Sequence, residues 1–266
     1  MREFLAAGCD DGSSLIRFLS ERMDISKKRL KRAIDEKACR VNGRIETFAS
    51  HKLREGDRVA FDEKALERKG TWTVLYEDER MIVFDKPPFV PVDSRFTVHR
   101  LDKETSGVIM MAKGDPAPWI ALFRERLVSK TYFAVCVMQK PFRPGAKVDV
   151  RKRIKVAHER KGRKIMTIDP HGALAVTEGE VVAVSGRLAL VKATPLTGKT
   201  HQIRLHLALI HLPILGDAIY GIHEGSRMML HSFSLSFPHP FTGEEMKFTA
   251  PVPEAFLEIF DARCFS

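Results

Sequence analysis

The sequence predicts an α+β fold in two units: a larger α+β domain on a mixed, largely antiparallel sheet with few helices, preceded by a small N-terminal α/β module. Three observations predict this. From about residue 71 onward, short β-branched and apolar runs recur between turn signals, with only two helical patterns among them. Residues 13–61 carry two amphipathic helix stripes followed by an Asn-Gly turn. Between the two regions, the stretch from Glu63 to Gly70 is charged, weakly apolar and ends in glycine, as a connector does. The expected boundaries are therefore 1–62, a linker at 63–71, and 72–266.

In the first unit, Leu15, Ile16, Phe18 and Leu19 form the apolar stripe of one helix. A second runs from Ser26, its N-cap, to Ile34. Asn42-Gly43 then marks a tight hairpin turn, and 53–59 reads as a further turn and short strand. In the larger unit, strands are expected at 73–76, 81–84, 108–112, 132–138, 180–184, 188–193, 228–237 and 245–249. One helix is expected over 118–128, with Ile120, Phe123 and Leu127 on one face, and another over 201–210. Residues 140–164 read as a basic loop.

Composition narrows the function. The 266 residues carry a formal net charge of +10, which favours an anionic partner such as nucleic acid. The charge is clustered: residues 26–44 have a local net of +6, and residues 140–164 a net of +9. Either cluster suits a surface that contacts phosphates. Cys9, Cys39, Cys136 and Cys264 are far apart and form no C-x-x-C pair, which argues against a disulfide framework or zinc knuckle. No apolar run approaches the roughly 18 residues of a membrane span, and the N-terminus does not read as a signal peptide. A soluble, cytoplasmic protein is expected. No P-loop or dinucleotide glycine fingerprint occurs, and no cofactor is expected. His201, His206 and His211 lie five apart. On a helix that spacing rotates successive side chains by about 140°, so they do not share a face as metal ligands would.

One stretch carries chemistry: His99-Arg100-Leu101-Asp102-Lys103-Glu104-Thr105-Ser106-Gly107, directly before an apolar strand. It places a carboxylate at the mouth of a strand, where it could act as a nucleophile. This string resembles the signature of the RluA-type pseudouridine synthases, which convert uridine in RNA to its carbon-linked isomer. Further segments resemble that family in order: Asp85-Lys86-Pro87, Lys130-Thr131-Tyr132, the run from Thr197 through Gly198-Lys199-Thr200-His201-Gln202-Ile203-Arg204 to His206, Gly216-Asp217 with Tyr220-Gly221, and Leu230-His231-Ser232. The order of features at 13–61 is similar to the small RNA-binding domain first known from a small-subunit ribosomal protein, the S-four type.

The resemblance implies the pseudouridine synthase fold, an isomerase, and roles for particular residues. Asp102 is the expected nucleophile, Arg204 its cationic partner, and Tyr132 the ring that stacks on the target base. Arg100 is expected to fill the gap left by the base or to bind a phosphate, and Leu230 to form an apolar wall. RNA-binding candidates are Lys27, Lys28, Arg29, Arg32 and Arg44 in the first unit and Arg151, Lys152 and Arg153 in the second. No metal or cofactor is implied. The expected partner is RNA, ribosomal RNA of the large subunit first and transfer RNA second, with the protein acting as a monomer away from membranes. The competing reading is a non-catalytic RNA-binding or ribosome-assembly factor, which would be free to lose Asp102, Tyr132 and Arg204; all three are present. Two departures stand out. Phe89 lies near an expected glycine after Lys-Pro, and the segment between Pro87 and His99 is short for the family.

Overall fold

A computed structural model of the chain describes residues 1–35, 38–63, 72–92, 98–160, 163–222, 224 and 227–265. The connector at 63–71, apart from Glu63, lies outside these, as do the side chains of Lys28, Arg32, Arg160 and Arg163. The chain divides into two compact units at Lys69/Gly70.

The first unit packs two helices, α1 (Leu15–Arg22) and α2 (Lys27–Asp35), with a four-stranded antiparallel sheet. Its strands are β1 (Arg2–Leu5), β2 (Cys39–Val41), β3 (Arg44–Glu46) and β4 (Arg58–Phe61), in the order β1-β4-β2-β3. Helix α1 buries Leu15, Phe18 and Leu19, and α2 buries Leu30, Ala33 and Ile34, both at the i, i+3, i+4 spacing of a core-facing stripe. The Ser26 hydroxyl accepts from the Arg29 amide at 3.4 Å. Asn42 and Gly43 both take positive φ (51° and 78°), the two-residue turn whose twist matches its flanking strands. Strand β1 has no counterpart among the sequence expectations. It is four residues long and becomes a strand by pairing with β4 across the unit.

The second unit is built on a ten-stranded sheet. Its strands are β5 (Thr73–Glu77), β6 (Met81–Lys86), β7 (Ser106–Ala112), β8 (Ser129–Val137), β9 (Lys147–Arg160), β10 (Arg163–Ile168), β11 (Ala173–Ser185), β12 (Leu188–Pro195), β13 (Leu230–Pro238) and β14 (Glu245–Thr249). The order is β10-β9-β11-β12-β8-β13-β7-β6-β5, with β14 paired to β13. Every pairing is antiparallel except β7 with β13. Two antiparallel halves thus meet at one parallel seam, where His231 faces Ser106 and Ser232 faces Gly107. Gly107 sits at φ 108°, and a Cβ there would lie 2.1 Å from the Ser232 carbonyl oxygen. Only glycine lets the two strands approach this closely.

Two expectations need correction. The helix α3 spans Ala117–Arg124, not 118–128, and it buries Trp119 and Leu122. Ile120 and Leu127 are solvent-exposed and Phe123 is half-buried. The core-facing stripe is therefore turned away from the expected one. The helix stops because Arg126 adopts φ 61° while the amides of Leu127 and Arg126 donate to the carbonyls of Leu122 and Phe123. That is a left-handed C-terminal cap made without the glycine that usually signals it. The second correction concerns 140–164, which is not a loop. Residues from Lys147 onward form the long β9–β10 hairpin. Val148, Val150 and Ile154 alternate inward while the charges alternate outward, and the charge density hid the period of two. Among the described residues the other α-helices are α4 (Gln202–Leu209) and the short α5 (Glu254–Leu257).

Candidate active site

The site lies at the parallel seam, on the segment that enters β7. Three anchors fix that segment. His99 accepts a hydrogen bond from the Met110 amide at 3.1 Å through Nε2 and stacks on Phe123. Burial, with a contribution from Lys130, pushes its pKa down to about 3, so it is a neutral acceptor. Lys86, fully buried, donates to the carbonyls of Pro87 (2.9 Å), Val90 (3.1 Å) and Lys103 (3.2 Å). Burial pushes its pKa down to about 7 against opposition from Glu104. Three carbonyl acceptors match the three donors of an ammonium group, whereas a neutral amine has only two. Lys86 thus ties the Lys-Pro turn to the residue after Asp102.

The third anchor is Ser106. Arg227 donates to its hydroxyl at 2.6 Å, and that hydroxyl lies 2.8 Å from Nδ1 of buried His231. An arginine can only donate, so the serine proton goes to His231 Nδ1. That requires a neutral imidazole, consistent with a pKa that burial, aided by Arg227, pushes down to about 3.

Asp102 sits between these anchors, and its side chain is 22 % exposed. Arg204, 2 % exposed and one turn into α4, donates from Nη1 to Asp102 Oδ2 at 3.0 Å. Its other face is held by Asp217 in a two-pronged pair, Nε to Oδ2 at 2.7 Å and Nη2 to Oδ1 at 2.6 Å. Asp217 also accepts from the amides of Ile219 and Tyr220. Burial opposes the Arg204 charge, but the Asp217 hydrogen bonds and attraction, then Asp102, outweigh it and raise its pKa above the ordinary arginine value. His201 Nε2 approaches the same Asp102 Oδ2 at 3.9 Å. Among the described residues no hydrogen bond reaches Oδ1. Among the described residues the carboxylate is therefore held through one oxygen alone.

The turn before α4 is built to aim these groups. Gln202 donates through Nε2 to the Val176 carbonyl (2.8 Å) and Thr177 hydroxyl (2.9 Å), and its Oε1 accepts from the Thr197 hydroxyl (2.6 Å) and the Lys199 amide (3.1 Å). All its amide hydrogen-bonding capacity is used to fix the start of the helix on β11. His201, at φ 53°, caps that start in the left-handed region, and its Nδ1 lies 3.0 Å from the Tyr220 hydroxyl. That hydroxyl accepts from the Met166 amide of β10 at 2.6 Å.

Tyr132 lies 8 % exposed on β8, opposite Ser232 of β13. Burial raises its pKa to about 12, with the Ser232 hydrogen bond opposing and Asp102 assisting, so the phenol is neutral at physiological pH. Leu230 is 3 % exposed and shares a core cluster with Tyr132 and Leu101. Arg100 is exposed.

The structure thus brings Asp102, Arg204 and Tyr132 together. Lys27, Arg29 and Arg44 are exposed in the separate first unit, where the Lys28 and Arg32 side chains lie outside the described residues. Of the hairpin candidates, Arg151 is paired with Asp149 and Glu178, Arg153 donates to the Gly172 carbonyl, and Lys152 is exposed. Sequence reasoning gave no role to Asp217, Lys86, His201, Arg227 or His231. All but Arg227 lay inside the matched motifs, yet their partners are set by the fold. Among the described residues, no group of three His, Cys, Asp or Glu side chains is placed to hold a metal.

A carboxylate held by a buried arginine, beside a tyrosine and at the seam of a largely antiparallel sheet, is the arrangement that the resemblance to pseudouridine synthases implies. Comparison with known proteins agrees. Residues 85–209 match the family described as RNA pseudouridylate synthase. The chain is 29 % identical to ribosomal large subunit pseudouridine synthase D of Vibrio cholerae, over 89 % of this chain and 86 % of that protein. It is also 29 % identical to synthase C of Vibrio vulnificus, over 91 % and 90 %. Among solved structures, human RNA pseudouridylate synthase domain containing 1 superposes with a TM-score of 0.58 at 25 % identity, covering 69 % of this chain and 84 % of that one. By these matches the chain is similar over most of its length to pseudouridine synthases of the RluA type, isomerases that act on RNA.

Proposed function

We propose that this protein isomerises uridines of large-subunit ribosomal RNA, with Asp102 as the nucleophile. The observation that carries the proposal is the one-sided grip on Asp102: Oδ2 is bound by Arg204, itself clamped by Asp217, while no hydrogen bond among the described residues reaches Oδ1. The target uridine leaves its helix so that its glycosidic bond becomes reachable. Oδ1 forms a covalent bond to the nucleotide and later leaves, as carboxylates do in covalent glycosidases. Over the reaction the base–sugar C–N bond breaks, a C–C bond forms, and a ring proton moves from carbon to nitrogen. Nothing is added or removed, so the balance needs no redox partner. Tyr132, a neutral ring on the same floor, supports the extruded base. Exposed Arg100 is available for the space the base vacates.

Two features favour ribosomal RNA of the large subunit. The relatives named for that substrate align over nine-tenths of this chain, including its N-terminal unit. A helix pair followed by a hairpin in that unit, with Lys27, Arg29 and Arg44 exposed, supports the reading of an S-four type RNA-binding module. The test is to incubate purified protein separately with protein-free large-subunit ribosomal RNA and with transfer RNA. Pseudouridine is expected in the ribosomal RNA, at positions that are unmodified in cells lacking the protein. Modification of transfer RNA alone would overturn the substrate, and modification of neither would overturn the activity.

A further inference from the structure

The cations of the larger unit fall into two groups. Those on and beside the β9–β10 hairpin largely meet carboxylates: Lys147 with Glu180, Arg151 with Asp149 and Glu178, Lys155 with Asp169. Near the site, Arg100, Lys130 and Lys199 have no side-chain hydrogen bond or ion pair among the described residues. For exposed Arg100 and Lys199 this means only that water surrounds them. Lys130 is different, because it is half-buried. Burial lowers its pKa, and no carboxylate among the described residues offsets the cost. A desolvated ammonium without a counter-charge is an incomplete arrangement.

Its position says what would complete it. Lys130 precedes Tyr132 by two residues on β8, so strand alternation puts both side chains on one face. Its Nζ would lie 4.0 Å from a Cβ on Gly198, and its charge acts on His99. It therefore stands between the segment bearing Asp102 and the turn bearing His201, and exposed Lys199 follows Gly198 directly. Side chains at i and i+2 of a strand stand about 7 Å apart, a span comparable to that from a base across its sugar to its phosphate.

We propose that Lys130, with Lys199 beside it, forms a phosphate subsite that takes the backbone phosphodiester next to the reacting uridine. The ammonium supplies donors and positive charge; the phosphodiester supplies acceptors and the missing negative charge. Binding the base at Tyr132 and its phosphate at Lys130 fixes the nucleotide at both ends and presents its sugar bond to Asp102. The subsite rests on the pseudouridine synthase reading of the site.

The test uses full-length protein and protein-free large-subunit ribosomal RNA over a salt series, reading both binding and single-turnover conversion. Lys130→Gln should raise the half-saturating RNA concentration about tenfold and reduce the slope of log affinity against log salt by about one. The saturated rate should fall far less, and Lys130→Arg should restore slope and affinity. An unchanged slope in Lys130→Gln, or a loss confined to the saturated rate, overturns the subsite. Should Lys130→Gln fail to fold, Lys130→Arg decides: the wild-type slope is expected, and a reduced slope overturns it. Wild-type protein that binds with a Lys130-dependent slope but makes no pseudouridine would retire the reaction and leave the subsite. Pseudouridine formation with a Lys130-independent slope would do the reverse.

Discussion

Arg204 joins a structural contact to the residue proposed as nucleophile. Of its five donors, two bond Asp217, which locks the guanidinium plane, and one bonds Asp102, which that plane then orients. A lysine at this position keeps the charge but loses the fork, so it cannot hold Asp217 from two sides and reach Asp102 as well. Arg204→Lys should fold and bind RNA yet lose at least about a hundredfold in rate, the cost of misplacing a reacting group by about an ångström. Arg204→Met should also lose about 3–5 kcal/mol of stability, because it leaves Asp217 buried and uncompensated. Single-turnover rates and denaturant midpoints measure the two effects separately. Asp102 and Arg204 were legible because each lies in a contiguous motif. Asp217 lay in such a motif too, but its role depends on the fold bringing residue 217 against residue 204, which spacing along the chain does not reveal. Lys86 was missed for a similar reason: its carbonyl partners carry no sequence signature.

At the scale of elements, the sequence patterns located strands and helices better than they oriented them. The two-residue Asn42-Gly43 turn was readable because its backbone demands those residue types. The end of α3 was not, because Arg126 takes the left-handed position that glycine would have announced. Phe89 does the same after the Lys-Pro turn, at φ 65°, close to where the family resemblance leads one to expect glycine. The face of α3 separates the two readings directly. Leu122 is 6 % exposed and Ile120 is 45 % exposed. Leu122→Ala should therefore cost about 2–5 kcal/mol, and Ile120→Ala about 0.5 kcal/mol or less. Equal losses in urea unfolding would contradict the packing. The β9–β10 hairpin was hidden by its charge, since eleven basic residues between 140 and 164 read as a solvated loop. Strand pairing turned that segment into an edge whose cations are partly neutralised by their neighbours.

At the scale of the whole molecule, three buried imidazoles join the fold to pH. Burial pushes His99 and His231 down to about 3 and His206 to about 4, from an ordinary value of 6.5. Below 6.5 the unfolded chain takes up protons at these sites while the folded chain does not, so stability falls with pH. The contribution is complete above 6.5 and is lost progressively as pH drops toward 4 and then 3. The thermal midpoint should decline across that window, and replacing His206 with an uncharged isostere should flatten the decline. The three imidazoles are buried in different places, His206 against Thr177 of β11, His99 against Met110 of β7 and His231 at the parallel seam, which brings Ser106, His231 and the segment holding Asp102 into one place. Fold class was legible from turn-punctuated strands, whereas the seam was not, because no local pattern distinguishes a parallel from an antiparallel neighbour. What the seam positions is the Asp102 carboxylate, and one measurement tests that most directly. Wild-type and Asp102→Asn proteins are compared for pseudouridine formation and for binding on the same ribosomal RNA. The account predicts binding within a few-fold of wild type and no detectable product from the variant; product formed at the wild-type rate would contradict it.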